Sequence, residues 1–340
     1  MHTISLNEQE IEEIRALTET IAARYRSVAD EEFLCRATTY AQELPRGLRS
    51  AVNDFRLSEP SGICVVRGYP VDDVAIGPTP AHWREKPVPS PALREEILHF
   101  LTACLLGDPI AWATQQDGHI LHDVVPIRGH EHEQLGSGSD TVLTWHTEDA
   151  FHPYRADYLS LMCLRNPDRV ETTYACMEAV CLDEETTRVL MLPRFFIRPD
   201  ESHLEKNRSG LAVEAPPDLL ARSYERINRM NEEPTPVPVL FGDPRSPYVR
   251  LDPYFMSPPE DEEAARAFGK LVDAIEAALT GVALEPGDIC FLDNYRAVHG
   301  RRAFRARYDG TDRWLKRLNI AMSLRPSREA RVSAPARVIF

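Results

Sequence analysis

The sequence predicts a β-rich α+β fold, with a barrel or jelly-roll core decorated with helices. Three observations predict it. Short strand-like apolar runs crowd the middle and end of the 340 residues. Helical periodicities sit outside those runs. No internal repeat, low-complexity tract or linker divides the chain. The expected organisation is one domain over 1–340, with a helical region at about 1–58, a core over about 60–325 and a helical or lid-forming insertion at about 182–235.

The elements follow in order. Residues 7–27 carry apolar residues at helical spacing, with Asn7 and Glu10 placed to begin a helix as a capping box. More helix is expected through 30–56. "SGICVVRGYP" (61–70) reads as a buried strand closed by a Gly/Pro turn. "PSPALREEILHFLTACLLG" reads as a helix entered through Pro91 and ended by Gly107. From 109 to 140 the chain is polar and without period, which predicts a long loop region of the kind that carries function. "TVLTW", "YLSLMCLRN" and "TTYACME" read as strands, 182–191 as a helix, and 194–215 as short apolar runs among turn residues. "PVPVLFG" and "PYVRLDPYF", split by Asp243-Pro244-Arg245-Ser246, read as a hairpin. An amphipathic helix spans 260–281. "PGDICFLDN" reads as turn, strand and loop. "RWLKRLNIAMSLR" reads as a strand in which Leu318, Ile320 and Met322 alternate.

Composition narrows the function classes. With 43% hydrophobic and 27% charged residues the chain has the make-up of a soluble globular protein. A formal charge of −14 argues against nucleic acid as a partner, because counterion release needs a basic face. No basic-then-apolar start marks a secretory signal, and no apolar run reaches the length of a membrane span. A cytoplasmic location without a membrane partner is therefore expected. The seven cysteines lack a CxxC pair and mostly sit in apolar runs, so buried reduced thiols are expected rather than a zinc site. Oligomeric state leaves no mark in the sequence.

The chemistry begins at "LTWHTEDAFHPYR" (143–155). Along a strand, residues i and i+2 share a side, so His146 and Glu148 can converge on one ion. Two histidines and one carboxylate on one face of Fe(II) leave positions open for cosubstrate and oxygen. Taken alone, His-x-Glu suits a satisfied structural pair better than a metal site. His299 in "DNYRAVHGRR" is the candidate third ligand, beside Gly300, where backbone can approach closely. A second cluster, His130, Glu131, His132 and Glu133, lies in a polar stretch and reads as a solvated loop. Arg313, fourteen residues past His299, stands at the start of an alternating strand. An arginine there can take a carboxylate with two parallel hydrogen bonds. The competing reading is a basic surface patch.

"WHTEDAFHPYRADYLSLMCLRN", "DNYRAVHGR" and "YDGTDRWLKR" resemble the clavaminate-synthase-like branch of Fe(II)/2-oxoglutarate dioxygenases. Within it the likeness is to free-amino-acid hydroxylases, above all the arginine β-hydroxylases of viomycin and streptothricin biosynthesis. It runs from about residue 60 to 325. Most 2-oxoglutarate oxygenases carry His-x-Asp, and the glutamate here matches this branch.

The resemblance implies Fe(II) on His146, Glu148 and His299, with 2-oxoglutarate and O2 as cosubstrates. Arg313 would pair with the distal carboxylate of 2-oxoglutarate, assisted by Arg317 and Thr173. It places a small-molecule amino acid against Gln115, Leu135, Ser137 and Glu148 at its α-groups and against Asp200 and Asp252 at its side chain. The implied reaction is hydroxylation of an unactivated C–H of a free basic L-amino acid, arginine first. The arginine enzymes carry a pair of aspartates at the second acidic place. Here only Asp252 stands there, with Arg250 two residues before it. Lysine, ornithine, citrulline or asparagine as substrate, and desaturation in place of hydroxylation, stay open. So do a non-catalytic binding jelly roll and a zinc hydrolase at the same triad.

Overall fold

Alternation along the long strands sorts this chain into layers. The computed structural model describes residues 1–204, 217–259 and 261–340. The part of the 194–215 reading that falls on 205–215, and the expected helix start at 260, lie outside them. In chain order the elements are β1 (His2–Ser5), α1 (Glu8–Ala22), α2 (Glu31–Ala41), α3 (Arg46–Ser58), β2 (Ile63–Arg67) and α4 (Leu93–Ala103). Then come β3 (Asp108–Trp112), β4 (His122–Val124), β5 (Leu143–His146), β6 (Tyr158–Arg165), β7 (Thr172–Cys176), α5 (Glu184–Leu190) and α6 (Pro217–Glu232). The chain closes with β8 (Leu240–Asp243), β9 (Ser246–Val249), α7 (Glu262–Ala278), β10 (Thr280–Val282), β11 (Ile289–Asp293), β12 (Ala297–Arg301), β13 (Trp314–Ala321) and β14 (Val338–Ile339).

The larger sheet has the order β1-β2-β11-β6-β13-β3-β14, with β4 added beside β13. The smaller has the order β10-β7-β12-β5, and β8 and β9 form a separate hairpin. One apolar layer lies between the two main sheets. It joins Ile63, Leu159, Leu161, Cys290 and Leu315 of the larger sheet to Tyr174, Cys176 and Ala297 of the smaller. The reverse face of the larger sheet, with Cys64, Met162, Phe291, Leu318 and Ile320, buries α1 to α4. The reverse face of the smaller sheet, with Trp145, Ala175 and Val298, packs on α5, α7 and the hairpin.

Local chemistry explains the helix ends. The Asn7 side chain accepts from the Glu10 N–H and the Glu10 carboxylate accepts from the Asn7 N–H, each at 3.0 Å, the reciprocal capping box expected from sequence. The 109–140 segment departs from expectation. It contributes β3 and β4, both paired with β13. These strands are short, and β3 carries Pro109 and a buried Trp112, so neither shows a period-two pattern.

On the helical side of β13, Lys316 is fully buried between Glu96 of α4, at 2.8 Å, and Asp123 of β4. Trp314 Nε1 donates to the same Asp123 at 2.6 Å, and Lys86 reaches Glu96 at 2.9 Å. Burial alone would discharge Lys316, but the two carboxylates outweigh it and raise its pKa. This ion cluster fastens the back of the strand whose front carries Arg317.

Candidate active site

Strand pairing builds the site. β12 runs antiparallel to β5 with His299 directly opposite His146, and the two rings lie 4.6 Å apart. The strands come this close because Gly300 follows: a Cβ there would stand 2.4 Å from the Leu143 carbonyl oxygen. The register shifts between His299 and Arg301, an irregularity that re-aims side chains beside a site. Glu148 lies just past the end of β5. Its N–H donates to Asn294 Oδ1 at 2.7 Å, and Asn294 Nδ2 donates to its carbonyl at 3.0 Å.

The three side chains converge. Glu148 Oε2 lies 3.4 Å from His299 Nε2 and 3.9 Å from His146 Nε2, close enough for all three to share one ion. Glu148 Oε1 accepts from Arg317 Nη1 at 2.7 Å, which leaves Oε2 for the histidines. His146 Nδ1 lies 2.7 Å from the Thr144 carbonyl oxygen, so Nδ1 is the donor there and Nε2 faces inward. Burial opposes protonation of His146, but the Glu148 and Asp252 carboxylates overcome it and lift the ring to about 9. Burial pushes His299 down. Burial also opposes ionisation of Glu148; Arg317 and the two histidines prevail and hold its carboxyl well below the usual range. Two imidazoles and one carboxylate, buried and aimed at one point, fit a facial Fe(II) site, and metal binding would displace the His146 proton.

A cavity opens on these residues. Arg313 forms part of its wall. Its guanidinium is buried, its Nη2 has one long bond of 3.4 Å to Thr172 Oγ1, and its Nε has no partner among the described residues. Burial lowers this guanidinium to about 10. The hydroxyl in the wall belongs to Thr172; the expected Thr173 faces the other way, with Oγ1 against Gly300. Arg301, missed in the sequence, also lines the cavity and donates to the carbonyls of Gly138 and of Thr141 at 3.0 Å.

The other expected residues divide. Gln115, Leu135, Asp200 and Asp252 line the cavity with the triad. Arg317 does too, but its partners are Glu148, Gln115 Oε1 at 2.7 Å and His122 Nδ1 at 2.7 Å, which puts it on the Gln115 side. Ser137 lies in a neighbouring cavity, with its hydroxyl 2.9 Å from His130 Nδ1. Asp252 is buried and, among the described residues, its side chain accepts only from the Tyr254 and Phe255 N–H groups, at 3.2 and 3.3 Å. Burial, reinforced by Asp200, lifts it to about 6 against the pull of His146. Arg250 turns away, donating to the carbonyls of Ala150 at 2.5 Å and Phe151 at 3.0 Å. The His130–Glu133 stretch is tied within its own loop and to Tyr308, and joins no metal-binding group of three among the described residues.

This site and fold have relatives. Residues 91–319 match the family described as taurine catabolism dioxygenase TauD, TfdA family. The chain belongs to that family: it is an Fe(II)- and 2-oxoglutarate-dependent dioxygenase, with O2 as the second cosubstrate. Among curated relatives it is 53% identical to the enduracididine beta-hydroxylase of Streptomyces hygroscopicus and 47% identical to the L-ornithine/L-arginine 3-hydroxylase of Catenulispora acidiphila, over 100% of both chains in each case. Clavaminate synthase 2 of Streptomyces clavuligerus is 32% identical over 85% of this chain and 83% of its own. The crystal structure of the non-heme iron oxygenase OrfP with Fe, succinate and (3S)-hydroxy-L-Arg superposes with a TM-score of 0.94 at 45% identity, over 100% of both chains. OrfP has also been solved with Fe and alpha-ketoglutaric acid.

Proposed function

We propose that this dioxygenase hydroxylates an unactivated C–H bond of free L-arginine. One observation carries the reading: among the described residues, a single cavity holds the His146–Glu148–His299 triad, the buried Arg313 guanidinium without an acidic partner, and the Asp252 carboxylate bonded only by backbone amides. The relatives named for arginine, and OrfP bound to L-Arg, support it. The two facing sheets would form the jelly-roll frame.

Iron on the triad, with 2-oxoglutarate and O2, supplies the oxidising chemistry that turns C–H into C–OH while the cosubstrate becomes succinate and CO2. The chain's own groups do the rest. Arg313, with the Thr172 hydroxyl, receives the distal carboxylate of 2-oxoglutarate in a charge-paired geometry that offsets the burial of both. Arg317 and Gln115 face the α-carboxylate and α-amine of the amino acid, beside Glu148. Asp252 and Asp200 receive the cationic side chain, whose charge compensates carboxylates otherwise buried at a cost. Leu159, Leu161 and Leu315 line the same cavity and exclude water.

A second reading keeps the chemistry and changes the substrate. Enduracididine is favoured by the name of the 53% identical relative and by the lack of a second aspartate beside Asp252, where Arg250, two residues before it, binds backbone. Enzyme loaded anaerobically with Fe(II) and 2-oxoglutarate, then exposed to O2 with arginine, enduracididine, ornithine, lysine, citrulline or asparagine, separates these readings. Arginine-dependent succinate with oxygen added to arginine supports the proposal. Succinate that depends on enduracididine alone replaces the substrate.

A further inference from the structure

His203 takes no part in the cavity wall, yet it is wholly buried and both ring nitrogens have partners. Nδ1 lies 2.7 Å from Thr114 Oγ1 and Nε2 lies 2.8 Å from Asp149 Oδ1. Asp149 directly follows the triad carboxylate, in left-handed backbone at φ 48°. Its Oδ2 accepts from Trp112 Nε1 at 2.5 Å and Asn319 Nδ2 at 3.3 Å. Phe151 packs edge-on against the His203 ring, with centroids 5.0 Å apart.

The ring therefore joins the end of β3 and the segment after β5 to one short turn, Glu201–His203. That turn starts from Asp200, whose Oδ1 accepts from the Ser202 N–H at 2.8 Å and from Ser202 Oγ at 2.5 Å. Ser202 Oγ accepts from Gln115 Nε2 at 2.7 Å. Asp149, Asp200 and His203 are close enough to hold a cation. Both ring nitrogens and both Asp149 oxygens are already bound to protein groups, however, so the cluster is built as a strut.

We propose that His203 is a positioning residue for substrate selection. By pinning the turn to Asp149 and Thr114, it sets where the Asp200 carboxylate stands relative to the metal-binding end of the cavity. The inference rests on the reading of this cavity as a basic-amino-acid site. Loosening the strut weakens capture of a cationic side chain and leaves 2-oxoglutarate, received by Arg313 and Thr172 on other strands, as before.

Steady-state kinetics of the iron-loaded full chain test this with His203→Leu and His203→Gln, each alone and with Asp200→Asn. His203→Leu is expected to raise KM for arginine about tenfold, the scale of one lost hydrogen bond to a charged group. KM for 2-oxoglutarate should stay within about twofold. His203→Gln, whose amide still donates to Asp149, recovers most of the loss. With Asp200→Asn already present, His203→Leu should add less than about twofold, because the group it positions has lost its charge. Thermal melting verifies folding; should His203→Leu not fold, His203→Asn, which breaks the Asp149 contact, carries the same comparison. An unchanged arginine KM, an equal rise for both substrates, or a penalty indifferent to Asp200 overturns the strut. An unmodified enzyme without arginine-dependent succinate overturns the underlying reading and the strut together; one with that activity confines any failure to His203.

Discussion

Arg313 shows most clearly how a single side chain divides the possible chemistries. A buried guanidinium with one 3.4 Å contact is costly unless an anion completes it. Arg313→Met should raise KM for 2-oxoglutarate by about a hundredfold or more, and Arg313→Lys should recover only part, since lysine lacks the paired donors. Succinate formation against 2-oxoglutarate concentration measures both. Asp252 predicts a pH dependence. Its carboxyl sits at about 6 because burial favours the neutral acid. A cationic side chain needs the ionised form, so KM for arginine should rise as pH falls through that value, by about tenfold per unit well below it. Asp252→Asn should raise KM throughout and flatten the profile. A profile that keeps its shape in that variant would remove Asp252 from the substrate site. The residues legible in the sequence were those on a period-two face: His146 with Glu148, and Arg313 with Arg317. The cavity wall holds Thr172 and not the expected Thr173, because one step along a strand exchanges its faces. Arg301, two residues past His299, was findable by the same rule. Asn294 and His203 act through partners far away in sequence, and no local pattern marks them.

At the scale of elements, the site depends on β5 and β12 meeting where Gly300 leaves no room for a side chain. Gly300→Ala would place a methyl group against the Leu143 carbonyl and press β12 away from β5. We expect a loss of about 1–3 kcal/mol in stability from the forced shift and weaker Fe(II) binding, as His146 and His299 separate. Thermal melts with and without iron check both; wild-type iron affinity in that variant would show that strand approach does not set the triad. Helices and long strands were readable because caps and alternation are local. The 109–140 segment was not, since β3 and β4 are defined by pairing with β13 rather than by their own composition. The hairpin β8–β9 was legible from its turn residues, and it delivers Leu251, whose carbonyl holds Thr147 between the first two triad residues at 2.9 Å.

Across the whole molecule, one strand couples both sides of the larger sheet. β13 turns Leu318 and Ile320 to the helical layer, and Arg317, with Arg313 just before the strand, to the cavity. Lys316 anchors it from behind. Lys316→Met would leave the buried Asp123 without its cation and Glu96 with Lys86 alone, a cost of about 3–5 kcal/mol that a lowered melting temperature should register. No helix among the described residues is long and apolar enough to cross a membrane. The β-rich class was legible from the clustering of strands, but the order of the layers and the side that each α-helix covers required the apolar faces seen in the fold. The proposed role of the cavity is the coupling of 2-oxoglutarate oxidation to hydroxylation of arginine. Its most direct measurement is a turnover under heavy-isotope O2 with the Fe(II) enzyme, 2-oxoglutarate and arginine. One labelled oxygen is expected in succinate and one in hydroxyarginine, in equal amounts. Labelled succinate formed at the same rate with arginine omitted, and no label in the amino acid, would contradict it.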